Sequence, residues 1–218
     1  MNFKACIFDL DGTLLDTINT IAYYGNKALE AFGYKAIDSE EYKYFAGNGA
    51  RILIERMLAF SGVTDEAEIQ KVLKKYLDEY DSDTRYKTAV FDGMNDLLCA
   101  LRENGLKCAV LSNKPHNATL EVIEYFFGEN VFDVVYGQRE GYPIKPDPTV
   151  AIEIGKEFGA TPDECLYVGD TAIDMETGKG AGYYTIGVLW GFRKRDELLK
   201  SGADVIVSHP REIAELLK

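Results

Sequence analysis

Positive charge is scarce in this chain: 24 Lys and Arg stand against 36 Asp and Glu, a net charge of −12 over 218 residues. Nucleic-acid phosphates demand a basic face, and anionic membranes demand a polybasic segment, so neither partner is expected. Long hydrophobic runs are also missing. The stretch before Asp9, MNFKACIF, is too short for a secretory signal, and no run approaches a membrane span, so a cytoplasmic location is expected. Cysteine is sparse and scattered. Cys6, Cys99, Cys108 and Cys165 contain no C-x-x-C and each falls in or beside an apolar segment. Small buried hydrophobes in a reducing compartment are the expectation, not disulfides. His116 and His209 form no ligand pair at helical spacing and read as surface or loop residues. There is no internal repeat and no low-complexity segment. What remains is 46% hydrophobic residues, enough to bury a core in one large domain or two modest ones.

Strand-like apolar runs recur at 4–8, 107–111, 132–136, 165–168, 184–188 and 204–207, with helical periodicity between most of them. Met94, Leu97, Leu98 and Leu101 line one helical face, Val122, Ile123 and Phe126 part of a second, and Ala151, Ile154, Gly155 and Phe158 a third. Alternation of this kind predicts a parallel sheet with helices on both faces. One region breaks it. About 90 residues separate the first run from the second without a convincing strand. Within them Ile18, Ile21, Ala22, Gly25, Ala28, Leu29 and Phe32 recur at helical spacing, as do Ile69, Val72, Leu73, Tyr76, Leu77 and Tyr80. A βα connection is normally short. The insertion is therefore expected to be an all-helical second domain over residues 16–86, with 1–15 and 87–218 forming the other.

The first apolar run ends in Asp9-Leu10-Asp11-Gly12-Thr13. Two carboxylates thus stand where a parallel strand would end, which is where open α/β sheets build their sites. Residues i and i+2 of an extended segment point the same way, so Asp9 and Asp11 can face one reacting centre. Taken alone, the pentapeptide also reads as a polar turn. Three further segments follow in order: Val110-Leu111-Ser112-Asn113-Lys114, Ile144-Lys145-Pro146-Asp147-Pro148, and Tyr167-Val168-Gly169-Asp170-Thr171-Ala172-Ile173-Asp174-Met175. Singly, each reads as an ordinary turn, loop or helix cap. Together, in this order and from Asp9 to about Gly191, the four resemble the motifs of the haloacid dehalogenase superfamily in its phosphatase form, and within it the phosphoglycolate phosphatase-like group.

That resemblance implies an α/β, Rossmann-like three-layer core with a parallel sheet and an inserted helical cap domain. It implies hydrolysis of a small phosphate monoester through a covalent aspartyl phosphate. Asp9 would be the nucleophile, since a carboxylate is ionised at neutral pH without a base. Asp11 would protonate the leaving alkoxide and then serve as base for the hydrolytic water. Asp9, Asp11, Asp170 and Asp174 facing a phosphate, with Lys145 the clear cation and Lys114 a second candidate, demand a hard divalent ion, and oxygen-only ligands favour Mg²⁺. By family analogy Asp9 and Asp170 bind it through carboxylates and Asp11 through its carbonyl, while Asp174 supports the metal's waters or Lys145. Ser112 and Asn113 would donate to the phosphoryl group, Lys145 would neutralise charge, and the backbone N–H groups of Gly12 and Thr13 would face the phosphate.

In the proposed cap, Ala46-Gly47-Asn48-Gly49-Ala50-Arg51 is the most irregular stretch. It reads either as an interhelical turn or as a specificity loop in which Arg51 binds a second anionic group. Residues 16–86 hold nine Lys and Arg against thirteen Asp and Glu, so any attraction for an anion there must be local, from Arg51, Lys43 or Arg56. Trp190 and Phe192 are expected to pack in core or loop. The expected partner is a small phosphorylated metabolite, and the expected oligomeric state a monomer or weak homodimer. A phosphomutase of the β-phosphoglucomutase type shares all these features. Haloacid dehalogenation is disfavoured by Asp11, because halide departure needs no proton. A non-enzymatic phosphoacceptor is disfavoured by the Asp9/Asp11 pair and the helical insertion.

Overall fold

The computed structural model describes residues 2–217. The first apolar run forms β1 (Ala5–Phe8), with all four residues buried. A tight turn then leads to the two-residue β2 (Leu15–Asp16). Four helices follow: α1 (Ile18–Ala31), α2 (Ser39–Phe45), α3 (Gly49–Phe60) and α4 (Glu66–Tyr80). The two-residue β3 (Ala89–Val90) pairs with β2 as a separate ribbon. From there helix and strand alternate: α5 (Met94–Glu103), β4 (Lys107–Pro115), α6 (His116–Phe127), β5 (Val134–Gln138), α7 (Thr149–Glu157), β6 (Cys165–Gly169), α8 (Ala172–Gly180), β7 (Tyr184–Val188), α9 (Arg195–Lys200), β8 (Val205–Val207) and α10 (Pro210–Glu215).

The chain divides into two compact units, one of residues 2–16 with 90–217 and one of Thr17–Ala89. In the first, six strands form a sheet in the order β5-β4-β1-β6-β7-β8, parallel throughout. Both faces are covered, which explains why the strands are continuously apolar and not alternating. Cys6, Phe8, Cys108, Val110, Leu166, Val168, Ile186 and Val188 point to one face, where Met94, Leu97, Leu98 and Leu101 of α5, Val122 and Ile123 of α6 and Ile213 of α10 meet them. Ala5, Ile7, Ala109, Leu111, Cys165 and Tyr167 point to the other, against Val150, Ala151 and Ile154 of α7. The strands around β1 are added first on the β4 side and then on the β6 side. The sheet therefore changes direction at β1, and the crevice beyond the carboxyl ends of β4, β1 and β6 is where such a fold places its ligand.

The second unit is entirely helical apart from Ala89. In it α1 packs against α4 and α2, and α3 against α4 and α2. Asp38 caps α2 by accepting from Glu40 N, and Asp65 caps α4 by accepting from Glu68 N. The apolar stripe of α1 is buried from Ile18 to Leu29, but its last member, Phe32, lies beyond the helix end and is 41% exposed.

One expectation needs correction. Cys6, Cys108 and Cys165 are buried, but Cys99 is exposed because it falls on the side of α5 away from Leu97, Leu98 and Leu101. The histidines lie partly exposed at helix starts, as expected of surface or loop residues: His116 opens α6 and His209 caps α10. His116 Nδ1 accepts from Gly137 N at 3.2 Å, and His209 Nδ1 caps α10 by accepting from Arg211 N at 3.2 Å. No helix among the described residues is long and apolar enough to cross a membrane.

Candidate active site

The carboxyl ends of β1, β4 and β6 carry three of the four motifs, and the loop after β5 carries the fourth. Asp9 continues β1, its N–H donating to Val168 O at 2.9 Å. Its carboxylate is buried against Lys145, with Nζ 2.7 Å from Asp9 Oδ1 and also 2.7 Å from Asp174 Oδ1. Asp9, Asp170 and Asp174 are all buried and each offers an oxygen within 4.8 Å of the others. A group of three carboxylates this close can hold a metal ion. Asp11 turns to a second buried lysine: Lys114 Nζ lies 2.9 Å from Asp11 Oδ1 and 3.3 Å from Oδ2.

Each group is fixed by its neighbours. Asp170 Oδ1 accepts from Thr13 Oγ1 at 3.1 Å and Oδ2 from Phe192 N at 2.7 Å. Asp174 Oδ2 accepts from Thr171 N at 3.1 Å and Thr171 Oγ1 at 2.6 Å, a capping box that starts α8. Both oxygens of Asp174 are therefore engaged, one by the helix start and one by Lys145. Asn113 exchanges two hydrogen bonds with the backbone of Lys145: Nδ2 donates to Lys145 O at 3.0 Å, and Lys145 N donates to Oδ1 at 2.9 Å. Ser112 is buried, and its Oγ accepts from Lys114 N at 3.3 Å. Among the described residues no acceptor takes the Ser112 hydroxyl proton, which leaves it open to a bound anion.

Gly12 sits at φ +88, a left-handed conformation that side chains resist. A Cβ there would stand 2.4 Å from Asp170 Oδ2, so the turn exists in this form only with glycine. The same turn alters one expectation. The N–H of Gly12 donates to Leu15 O at 2.8 Å and that of Thr13 to Leu10 O at 3.2 Å, so neither faces outward to a phosphate. Among the described residues no acceptor engages the N–H of Leu10 or Asp11. The open backbone donors lie beside Asp9, one and two residues earlier in the turn than expected.

Burial is the largest influence on the charges. It pushes the Asp9 carboxyl up to about 7; Asp174 adds to the push, and Lys145 opposes it. Asp170 is raised well above the carboxylate range by burial first, then by Asp174 and Asp9, against the Phe192 and Thr13 donors. Burial alone would lower Lys145, but Asp174 and Asp9 outweigh it and hold the amine well above its ordinary value. With all four aspartates ionised, the two lysines would leave two negative charges unbalanced, and one divalent cation would balance them and offset the burial that raises Asp9 and Asp170.

Of the residues singled out in the sequence, Asp9, Asp11, Gly12, Thr13, Ser112, Asn113, Lys145, Asp170 and Asp174 lie together in the first unit. Arg51 lies in the helical unit, on the first turn of α3, and is engaged there. Its Nε lies 2.8 Å from Glu55, and its terminal nitrogen 2.9 Å from Glu66. The sequence reading took Thr171 as a helix cap and Trp190 and Phe192 as packing residues; it gave no site contact to Thr171, to the amide of Phe192 or to Trp190, whose Nε1 donates to Thr13 O at 3.0 Å. Thr171 had a signal, since Thr-x-x-Asp before a helix is a capping pattern. Phe192 donates through its backbone and Trp190 reaches a backbone carbonyl 177 positions away, and neither contact has a signal in the order of residues.

Residues 6–188 match the family model described as haloacid dehalogenase-like hydrolase. The chain is 30% identical to the N-acetylmuramic acid 6-phosphate phosphatase of Pseudomonas aeruginosa over 218 residues, covering 100% of this chain and 96% of that protein. It is also 30% identical to a phosphoglycolate phosphatase of Pseudomonas putida, over 87% of this chain and 70% of that protein. Among solved structures it superposes on a protein from Lactobacillus delbrueckii subsp. bulgaricus, provisionally named a phosphoglycolate phosphatase. The TM-score is 0.95 at 34% identity, over 100% of this chain and 99% of that one.

Proposed function

The chain belongs to the haloacid dehalogenase-like hydrolase family, and we propose that it is a Mg²⁺-dependent phosphatase of small phosphate monoesters working through an aspartyl phosphate. Phosphoric monoester hydrolysis is the activity of its named relatives. Both of their substrates, by name, are phosphate monoesters that also carry an acid group. The single observation that carries the mechanism is Lys145 Nζ placed at 2.7 Å from both Asp9 and Asp174, in a buried cluster with Asp170.

In this reading Asp9 attacks phosphorus and takes the phosphoryl group. Its buried carboxyl, pushed up to about 7, needs added positive charge to be fully ionised at neutral pH. Lys145 supplies part of that charge. The donor set fits Mg²⁺, because it is oxygen-only and short of two positive charges. Asp9, Asp170 and the carbonyl of Asp11 would hold the ion, and bound there it supplies the charge that keeps Asp9 ionised and draws the phosphoryl oxygens in. Asp174, with both oxygens engaged, supports Lys145. Ser112 Oγ–H and the open N–H groups of Leu10 and Asp11 donate to the phosphoryl oxygens. Asp11 gives its proton to the leaving alkoxide, then removes one from the water that opens the aspartyl phosphate. Residues 17–89 serve as the cap that selects substrate.

The test is phosphate release from a panel of phosphorylated metabolites, with Mg²⁺ and with excess chelator. The expected result is turnover only with Mg²⁺, and acid-stable labelling of Asp9 when the reaction is quenched during turnover. Full activity in chelator, or labelling at another residue, would refute the reading. A phosphomutase would show instead a requirement for a bis-phosphorylated sugar and transfer between two positions of the sugar.

A further inference from the structure

Asp170 stands in a slot between two glycines. A Cβ on Gly12 would lie 2.4 Å from Asp170 Oδ2, and a Cβ on Gly191 would lie 2.4 Å from the same oxygen and 2.3 Å from Asp170 Cβ. Gly191 also closes on the turn after β1, since its Cβ would stand 2.3 Å from Gly12 O. Gly191 lies just beyond β7, the strand beside β6, so the chain leaves β7 and turns back across the end of β6 to reach that turn. The residues on either side of Gly191 supply hydrogen bonds. Phe192 N donates to Asp170 Oδ2 at 2.7 Å, and Trp190 Nε1 donates to Thr13 O at 3.0 Å. Thr13 in turn donates from Oγ1 to Asp170 Oδ1 at 3.1 Å. The contacts form a closed circuit, from Trp190 to Thr13, to Asp170, to Phe192 and back along the chain. Both carboxylate oxygens are held, and each hold traces to residues 190–192.

Asp170 differs in this from the other two members of the buried cluster. Asp9 and Asp174 both accept from Lys145. Among the described residues no lysine or arginine pairs with Asp170, so neutral donors alone fix it. Such a circuit sets direction and leaves the charge to be balanced by something else. Each oxygen of an ionised carboxylate can accept more than one bond, so Oδ1 and Oδ2 keep lone pairs for an ion. What they lose is the freedom to swing. That loss matters differently for the two common hard cations. Mg²⁺ needs near-ideal octahedral oxygens at about 2.0–2.1 Å, whereas Ca²⁺ accepts more oxygens at about 2.3–2.6 Å in a looser arrangement. A fixed carboxylate suits the first ion, and a loosened one adapts to the second. We infer that Trp190, Gly191 and Phe192 are positioning residues that hold Asp170 in the orientation Mg²⁺ requires, and that they set the preference of this site for Mg²⁺ over Ca²⁺. The inference rests on the assignment of Asp170 as a metal ligand in the phosphatase reading above and deepens it.

The test measures ion binding to the whole protein, without substrate, by titration calorimetry with Mg²⁺ and separately with Ca²⁺. Trp190→Phe keeps an aromatic ring and removes the Nε1 donor. Gly191→Ala sets a methyl against Asp170, and because Gly191 is not a left-handed glycine the methyl acts by contact and not by backbone strain. In both variants Mg²⁺ affinity should fall by about ten- to a hundredfold, the usual effect of losing a contact that orients a metal ligand. Ca²⁺ affinity should fall by a smaller factor, so the ratio of the two affinities drops. If Gly191→Ala does not fold, Trp190→Phe carries the test. Phe91→Leu is the control. Its ring meets that of Trp190, with centroids 6.5 Å apart, but belongs to no part of the circuit. It should lower the melting temperature and leave both affinities unchanged. A matching fall in Phe91→Leu would assign the effect to packing and overturn the inference. Equal losses for the two ions in folded variants, or no loss, would overturn it as well and leave the phosphatase reading standing. Wild type binding neither ion would remove the inference together with the metal assignment beneath it.

Discussion

Lys114 Nζ reaches both oxygens of Asp11, at 2.9 and 3.3 Å, from a side chain that is almost wholly buried. Lys145 makes the corresponding contact to Asp9. The two carboxylates of the first motif are thus sorted, each to its own lysine. Asp11 is the more exposed of the two aspartates and the one assigned the moving proton. Lys114 fixes where that proton would be given and received.

Lys114→Met should therefore slow hydrolysis of alkyl phosphates, whose leaving groups need a proton, by about tenfold or more, since general acid catalysis contributes roughly 10²–10⁴. p-Nitrophenyl phosphate, which departs without one, should be nearly spared. Steady-state kcat for the two ester types checks this. Equal losses would assign Lys114 to phosphate binding instead.

Asp9→Asn should abolish turnover while keeping the fold, because the amide retains shape and removes the nucleophile. The metal-free variant should melt no lower than wild type, since an ionised carboxyl whose pKa burial raises to about 7 opposes folding at neutral pH. Calorimetry in chelator, paired with an activity assay, gives both readings.

Gly12→Ala should destabilise the protein by about 1–3 kcal/mol from backbone strain at positive φ, and it should also weaken divalent-cation binding. The added methyl would stand 2.4 Å from Asp170 Oδ2 and must displace it. Gly33→Ala is the control, having a similar φ of +80 but no atom within 4 Å. It should lose stability and keep its metal affinity. Titration calorimetry with Mg²⁺ separates the two variants. Equal affinities would mean that the turn yields without moving Asp170.

Glu79 on α4 bridges Lys27 of α1 at 2.7 Å and Lys75 at 2.6 Å, and these hold its carboxyl down at about 2. The group is bound as a carboxylate in the folded state. Its stabilising contribution is therefore complete above the unfolded value near 4.5 and disappears as pH falls through about 2. Glu79→Gln should lower the urea midpoint at pH 7, and the gap to wild type should close between pH 4.5 and 2. A gap that is flat with pH would mean that the side chain acts by packing, not by charge.

The sheet was legible because its strands are buried on both faces. A continuous apolar run such as Val110–Leu111 or Leu166–Val168 admits little else once glycines and polar turns bound it. The edges were less legible. β4 continues through Ser112, Asn113 and Lys114 to Pro115, past the point where apolar character stops, because its polar end is held by the site and not by the core. β5 starts two residues later than its apolar run. Within the site, Asp9, Asp11, Asp170 and Lys145 could be picked out because charged residues beside buried strands stand out in a sequence. Lys114 was only a candidate, since nothing in the order of residues tells which lysine turns inward. Arg51 drew attention through its glycine-flanked loop, yet α3 begins at Gly49, and the arginine's partners sit one turn along the helix and at the start of α4.

The reciprocal pair between Asn113 and the backbone of Lys145 has a consequence for how this sequence can diverge. The side-chain amide imitates a strand partner, giving one hydrogen and taking one, so it ties the end of β4 to a lysine 32 positions away. Whatever lies between them is relieved of the task of aiming Lys145. Insertions or deletions in the turn at 128–131, or exchange of the outer face of α6, alter a detour whose two ends are already tied together. The opposite holds at position 113. Aspartate cannot donate, leucine can do neither, and either change would untie the detour. Variation is thus channelled into a long excursion by a single amide, and a graft of a foreign β4–β5 connection onto this core should succeed or fail on that one side chain.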